Sequence, residues 1–234
     1  MTTQQRLRIR DIEIVFEPAE GVFIPSPNGL FYAHSVAIHP GERVIDIGTG
    51  SGVLALLAAK QGAIVEATDI DPRAIAANQR NARLNAVDIG SRLGSLFADA
   101  PPPFDVILAN LPNEIVAPAH LAGLDEADAR VFAGGERGNA HILALLRSAK
   151  RHMQARSRLY LPIHTLTDYH QTLEAALHDY ALRLVSLAPL PVKSFVTEQL
   201  DFYRQLNEAG IIRIFQNQEG WHSYGYVYEA TLRV

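Results

Sequence analysis

The residues best able to do chemistry in this sequence fall in four short stretches. The first is Val44-Ile-Asp-Ile-Gly-Thr-Gly-Ser-Gly-Val53, which carries Asp46 and Thr49 among Gly48, Gly50 and Gly52. β-branched residues lead into the glycines, and Val53-Leu-Ala-Leu-Leu-Ala-Ala59 follows, so the order reads strand, turn, helix. Glycines in such a turn let the backbone approach a ligand where a side chain would intrude. The first turn of the helix leaves amide donors that can face a polar group. The spacing Gly48-x-Gly50-x-Gly52 differs from the GxGxxG of dinucleotide enzymes, because the third glycine arrives one position early.

The second stretch is Ile64-Val-Glu-Ala-Thr-Asp69, a strand candidate ending in an acid, with Ile70 after it. A carboxylate at the C-terminal end of a strand, beside a glycine turn, can accept both hydroxyls of a ribose, so Asp69 and Ile70 are binding candidates. Asp71 before Pro72 has the ordinary role of a helix N-cap. The third is Leu96-Phe-Ala-Asp-Ala100, where Asp99 suits the exocyclic amine of an adenine and Ala100 or Phe97 its plane. A solvated loop aspartate before Pro101-Pro-Pro103 is the plainer alternative.

The fourth is Leu108-Ala-Asn110-Leu-Pro112-Asn113. The side-chain oxygen of Asn110 and the carbonyl of Leu111 are two acceptors for a substrate N–H, and Pro112 fixes the turn without competing as a donor. Two acceptors on one nitrogen aim its lone pair. Asn110, Leu111 and Pro112 are therefore the catalytic candidates.

The elements that must hold these residues alternate. Strands are expected at 43–47, 64–68, 93–97 and 104–109, with helices at 52–61 and 72–85, a pattern that indicates a parallel sheet covered on both faces. Ligands in such sheets sit beyond the strand C-termini where the order reverses, which places the glycine turn, Asp69, Asp99 and Asn110 along one rim. Upstream, residues 7–16 alternate as a half-exposed strand that can pair with 21–24, and a helix spans 30–38. Phe23, Pro25 and Asn28-Gly29 are pocket candidates or a packed connector. Downstream, Gly134-Gly135 marks a turn able to close over the site, ahead of a long helix within 131–155. A strand at 158–163, a helix at 166–181, a strand at 182–187 and a helix around 198–209 follow. Paired strands at 211–215 and 224–234 end the chain, with 220–223 as an exposed turn or lid edge. Trp221, Tyr224 and Tyr226 can frame a substrate or simply pack on the sheet.

With 234 residues, 48% hydrophobic and 20% charged, the chain can bury a large core. Zero cysteines exclude disulfides, thiolate metal sites and a cysteine nucleophile. The nine histidines show no ligand spacing, so no metal is expected. A net charge of -4 argues against a broad polyanion surface, and the basic residues from Arg147 to Arg158 read as a solvated helix end. Nothing at the N-terminus resembles a signal peptide and no apolar run is long enough to span a membrane, so a cytoplasmic protein is expected.

Asp46-Ile-Gly-Thr-Gly-Ser-Gly52, Thr68-Asp-Ile-Asp-Pro72, Asp99, Phe104-Asp-Val-Ile-Leu-Ala-Asn110 and Gly134-Gly-Glu-Arg-Gly138 together resemble class I S-adenosylmethionine (AdoMet) methyltransferases. Within that class they resemble the release-factor glutamine methyltransferases and their cousins that methylate amino groups on adenine or ribosomal proteins. The family's Asn-Pro-Pro-Tyr motif stands here as Asn110-Leu111-Pro112-Asn113, without the stacking aromatic ring. The resemblance implies a Rossmann-like α/β fold with a mostly parallel seven-stranded sheet, an antiparallel C-terminal strand and a short N-terminal strand or hairpin extension. It divides the chain into an extension at 1–28 and a methyltransferase domain at 29–234.

It also implies a cofactor, S-adenosyl-L-methionine, leaving as S-adenosyl-L-homocysteine (AdoHcy), held by Asp46, Gly48, Thr49, Gly50, Gly52, Asp69, Ile70, Asp99, Ala100 and Asn110. The implied activity is methyl transfer to a nitrogen of a small molecule or protein side chain, with a dimer or small partner subunit possible. Methylation of a nucleic-acid amino group, small-molecule O-methylation and a catalytically silent partner protein stand as alternatives, with NAD-dependent reduction further behind.

Overall fold

The structure is a computed structural model that describes residues 4–124 and 134–233. Two compact units divide it: residues 4–110 with 149–161, and residues 111–124 and 134–148 with 162–233.

The first unit opens with a hairpin of β1 (Gln5–Ile9) and β2 (Ile12–Phe16), followed by α1 (Pro27–Ser35). Then come β3 (Arg43–Ile47), α2 (Val53–Lys60), β4 (Ile64–Asp69), α3 (Pro72–Leu84), β5 (Gly90–Leu93) and β6 (Val106–Ala109). After a 3-10 turn at Lys150–His152, β7 (Arg158–His164) begins in this unit and ends in the second. The four strands from β3 to β6 are parallel to their neighbours, as is β7 to β6. β6 reads Val-Ile-Leu-Ala with every residue buried, the near-continuous apolar run of a parallel strand covered on both faces.

The second unit holds α4 (Pro118–Leu121), α5 (Ala140–Ala149, whose last residue belongs to the first unit), α6 (Tyr169–Asp179), β8 (Tyr180–Pro191), α7 (Ser194–Glu198), α8 (Leu200–Glu208), β9 (Ile214–Asn217) and β10 (Gly220–Leu232). Its core gathers Ile115, Leu166, Phe195, Val196, Tyr203, Ile212 and Ile214. The Tyr203 hydroxyl donates to the Ile115 carbonyl at 3.1 Å and accepts from the Ala117 amide at 3.2 Å, so its burial leaves no polar loose end there. β10 runs antiparallel to both β8 and β9.

Along the hydrogen-bonded path the order is β5-β4-β3-β6-β7-β10-β8, seven strands, with β9 added on β10. This is the expected Rossmann-like α/β fold, mostly parallel with antiparallel pairing at its C-terminal strands and an N-terminal hairpin. The winding reverses between β3 and β6, so the crevice at their C-terminal ends is flanked by Gly48 and Asn110.

Several expectations need correction. Residues 7–16 form two strands joined at Arg10, which takes a left-handed φ of 56°, and residues 21–24 pair with neither. The helix expected at 30–38 starts earlier because the Ser26 hydroxyl caps the Gly29 amide and Pro27 fits the first turn. The strand expected at 93–97 is β5, ending at Leu93. The long helix within 131–155 is α5 plus the 3-10 turn, and residues 131–133 lie outside the described set. The helix at 166–181 begins only at Tyr169, after Asp168 caps the Gln171 amide.

β8 extends through Pro189 and Pro191 because it is the last strand on the path, where a missing N–H removes no ladder bond. The helix near 198–209 is split at Gln199, whose φ of -121° and ψ of 35° are not helical. Residues 220–223 are part of β10, with His222 and Ser223 buried, and are not an exposed turn. Tyr224, Tyr226 and Tyr228 form a ring ladder, Tyr226 and Tyr228 lying 6.1 Å apart, which favours sheet packing over a substrate frame.

Candidate functional site

The glycine turn joins β3 to α2 with Gly48, Gly50 and Gly52 all at positive φ. Gly52 is the N-cap of α2 at φ 87°, and a Cβ there would stand 2.4 Å from the buried Oδ1 of Asn78. Both the backbone conformation and the space demand glycine. A glycine cap offers no side chain for the first-turn amides, and Asp46 takes that role from inside β3. Its Oδ2 accepts from the Ala55 amide at 3.2 Å and from the Thr49 hydroxyl at 2.7 Å. Burial raises the Asp46 carboxyl to about 7, against the lowering influence of those two hydrogen bonds, and the Asp69 charge adds to the rise.

The amides of the turn itself point inward. Gly48 and Thr49 donate to the Thr68 carbonyl, Gly52 to the Thr49 carbonyl, and Ser51 to the Phe23 carbonyl. Gly50 donates to Asp69 Oδ2 at 2.9 Å. The turn therefore presents the smooth face of its backbone, whereas a phosphate cradle aims its N–H groups outward at the anion.

Asp69, at the end of β4, is half-buried. Its other oxygen accepts from the Asp71 amide at 2.9 Å, and its carbonyl accepts from Gly94. Burial raises its pKa, with the Asp71 and Gly50 amides opposing the shift. Each carboxylate oxygen can accept more than one hydrogen bond, so these two backbone contacts fix the group without exhausting it. Ile70 beside it is 61% exposed, as is Leu93 at 59%, its register partner being Asp69. Two exposed aliphatic side chains beside an acid suit a flat apolar ring with a polar edge. Asp71 does cap α3 as expected, accepting from the Arg73 amide at 2.8 Å.

The loop after β5 carries left-handed φ values at Leu96 (48°), Ala98 (42°) and Asp99 (57°), none of them glycine. Such strain persists only where surroundings impose it. Here the Thr68 hydroxyl holds the Leu96 carbonyl, and Phe97 stacks on His152 with ring centroids 3.7 Å apart. Asp99 itself is exposed and Ala100 buried.

Asn110 follows β6 and is half-buried. A Cβ added to Gly29 of α1 would lie 3.1 Å from its Nδ2. Asn110 closes the first unit, whereas Leu111 and Pro112, also half-buried, open the second, where Asn113 donates to the Pro162 carbonyl at 3.2 Å. The Gly134–Gly138 turn wraps its own unit: a Cβ on Gly138 would lie 2.6 Å from the Glu114 carbonyl carbon. Arg137 pairs with Asp168.

Three participants were not given their roles by the sequence, Phe23 being named there only as a pocket candidate. Phe23 matters through its carbonyl, which no pattern reveals. Asn78 and Asn81, buried on α3, and the half-buried Asn85 at its C-cap form a ladder: Asn81 donates to the Ser51 carbonyl at 2.9 Å and accepts from the Glu17 amide at 2.9 Å, while Asn85 accepts from the Val15 amide at 3.0 Å. Their spacing on one helix face was the available signal. The third is Tyr32, which is fully buried.

Comparison with known proteins agrees with this arrangement. The family model for ribosomal protein L11 methyltransferase matches residues 31–137, just under half of the chain. An 82-residue segment is 48% identical to the ribosomal protein L11 methyltransferase of Bacillus cytotoxicus, covering 34% of this chain and 26% of that protein. The match thus spans about a quarter of that relative's length. Among solved structures, a ribosomal protein L11 methylase from Lactobacillus delbrueckii subsp. bulgaricus superposes with a TM-score of 0.55 at 21% identity, covering 88% of this chain and 80% of the other. The 16S rRNA N2 G1207 methyltransferase of T. thermophilus, solved with AdoMet and guanosine, gives a TM-score of 0.62 at 18% identity, covering 99% of this chain and 50% of that one. At these identities the likeness establishes the fold, that of class I methyltransferases. No helix among the described residues is long and apolar enough to cross a membrane.

Proposed function

We propose that this chain is an AdoMet-dependent methyltransferase acting on a nitrogen of a protein substrate. The observation that carries the reading is the inward-facing glycine turn beside a half-buried Asp69. That surface suits an uncharged stretch of ligand and a ribose better than a pyrophosphate. In support, the matched family and its relatives are named for methylating ribosomal protein L11, which favours the ribosomal-protein branch of the resemblance over the release-factor branch. The methyl acceptor is then a protein amino group, and the reaction is cytoplasmic.

The residues fit the cofactor. Gly48, Thr49, Gly50 and Gly52 supply a backbone floor, with Asp46 bracing it from below. Asp69 would accept the ribose hydroxyls, the exposed Ile70 and Leu93 would flank the adenine, and Asp99 would take its amine, with Ala100 buried next to it in sequence. When bound, AdoMet supplies a methyl group already activated by the sulfonium. The protein's share is positioning: Asn110, through its side-chain oxygen, and Leu111, through its carbonyl, orient the nucleophilic nitrogen, while Pro112 sets the turn. Residues 1–28 serve as an extension to a catalytic body at 29–234.

Calorimetric titration with AdoMet, AdoHcy and NADH tests the reading. The two sulfur nucleosides should bind, and Asp69→Ala should weaken them about 10- to 100-fold by removing hydrogen bonds to a charged acceptor. Tight NADH binding with neither nucleoside bound overturns it. Transfer of labelled methyl from AdoMet to recombinant ribosomal protein L11 tests the acceptor, and nucleoside binding without turnover on any protein points instead to a silent partner.

A further inference from the structure

Tyr32 stands where the sheet opens. β6 and β7 pair in register from Val106 with Arg158 to Leu108 with Tyr160. At the next step the Tyr32 hydroxyl lies between the strands, accepting from the Ala109 amide at 3.2 Å and donating to the Tyr160 carbonyl at 2.8 Å. One oxygen atom thus separates two backbone groups that a ladder would bring together. The strands part here, and Asn110 is the next residue.

The same helix also touches Asn110. Gly29 and Tyr32 are three residues apart and share a face of α1. Gly29 leaves room for the Asn110 amide, because a Cβ there would come within 3.1 Å of Nδ2. One helix face thus limits both the backbone and the side chain of the proposed catalytic asparagine.

We propose that Tyr32 is a positioning residue for methyl transfer, a hydroxyl wedge that sets where Asn110 stands, with Gly29 guarding its side chain. The proposal rests on the methyltransferase reading for its chemistry, but its geometry is independent of it. Burial keeps the phenol well above its ordinary pKa, so the proton donated to Tyr160 stays in place at working pH.

Tyr32→Phe removes only the oxygen. Crystal structures of wild type and Tyr32→Phe grown with AdoHcy should show β6 and β7 closer together at Ala109 and the Asn110 amide displaced, while the calorimetric Kd for AdoHcy changes less than about threefold. With L11 as acceptor, kcat should fall about 10- to 100-fold, the scale of a misplaced reactive group, with KM little changed. Added to Asn110→Ala, Tyr32→Phe should lower kcat no further, because it acts through Asn110. A purely structural role would make the two losses multiply. Gly29→Ala should shift the Asn110 side chain without parting or closing the strands. If Asn110 superposes in wild type and Tyr32→Phe, the proposal is wrong whatever the acceptor. If wild type binds neither AdoMet nor AdoHcy, it is the methyltransferase reading that fails, and structures without AdoHcy still decide on the wedge.

Discussion

The two units bury their most enclosed carboxylates, Asp46 and Glu114, in different ways. In the first, polar side chains are matched to backbone: Asp46 caps α2, and Asn81 and Asn85 grip the edge of β2 and the glycine turn. In the second, charge is matched to charge. Glu114, 6% exposed, meets the Lys193 ammonium at 2.6 Å, and His164 is buried beside them with no partner for Nδ1 among the described residues. The first arrangement depends on backbone shape and is sensitive to added atoms. The second is sensitive to lost charge.

The sharpest way to break this contrast is Gly52→Ala. A left-handed φ and a 2.4 Å approach to Asn78 should together destabilise the fold by about 2 to 4 kcal/mol in denaturant titration. Adding Asn78→Ala should recover part of that loss, since it removes the clash but not the φ.

The pH dependence should run in opposite directions in the two units. Asp46 is raised to about 7 in the fold from an ordinary 3.8, so the folded chain holds a proton that the unfolded chain has lost. Its contribution is full below pH 4 and declines up to about pH 7, by up to about 4 kcal/mol. Asp46→Asn should flatten that slope. His164 is lowered from its ordinary 6.5 by burial, so its contribution is present above pH 6.5 and declines as the pH falls through its folded value. His164→Gln should flatten the acid side instead, and melting curves from pH 4 to 8 will separate the two.

Glu114→Gln should cost about 2 kcal/mol by taking the buried anion from Lys193, less than the roughly 3 to 5 kcal/mol of a fully buried pair because Lys193 is partly exposed. Arg183→Gln, which removes the pair between a largely exposed arginine and the mostly covered Glu229, should cost less, about 0.5 to 1 kcal/mol. If these two losses were equal, the claim that buried charge carries the second unit would fail.

What the sequence made legible follows the same division. β3, the glycine turn, α2 and the Asp71 cap were readable because local propensity and tertiary role agree there. An N-terminal hairpin was readable too, but its two strands were misplaced, although their signal was present: the apolar positions are 7 and 9 before Arg10-Asp11 and 12, 14 and 16 after it, a change of phase that marks a turn. The asparagine ladder was obscured because polar residues on a helix normally face water. Tyr32 looked like any core aromatic, since a hydroxyl placed between strands depends on packing and not on local pattern. The second unit was least legible, because the pairing of Glu114 with Lys193 bridges 79 positions of sequence and no periodicity announces it.

The ladder on α3 gives the protein a remote gauge. Asn81 holds Ser51 in the glycine turn and Glu17 at the hairpin edge at once, so quieting one quiets the other. Deuterium uptake at the Glu17 and Val15 amides should therefore slow when the turn is occupied. Occupancy of the rim could then be followed from the N-terminal hairpin, without a probe in the rim itself.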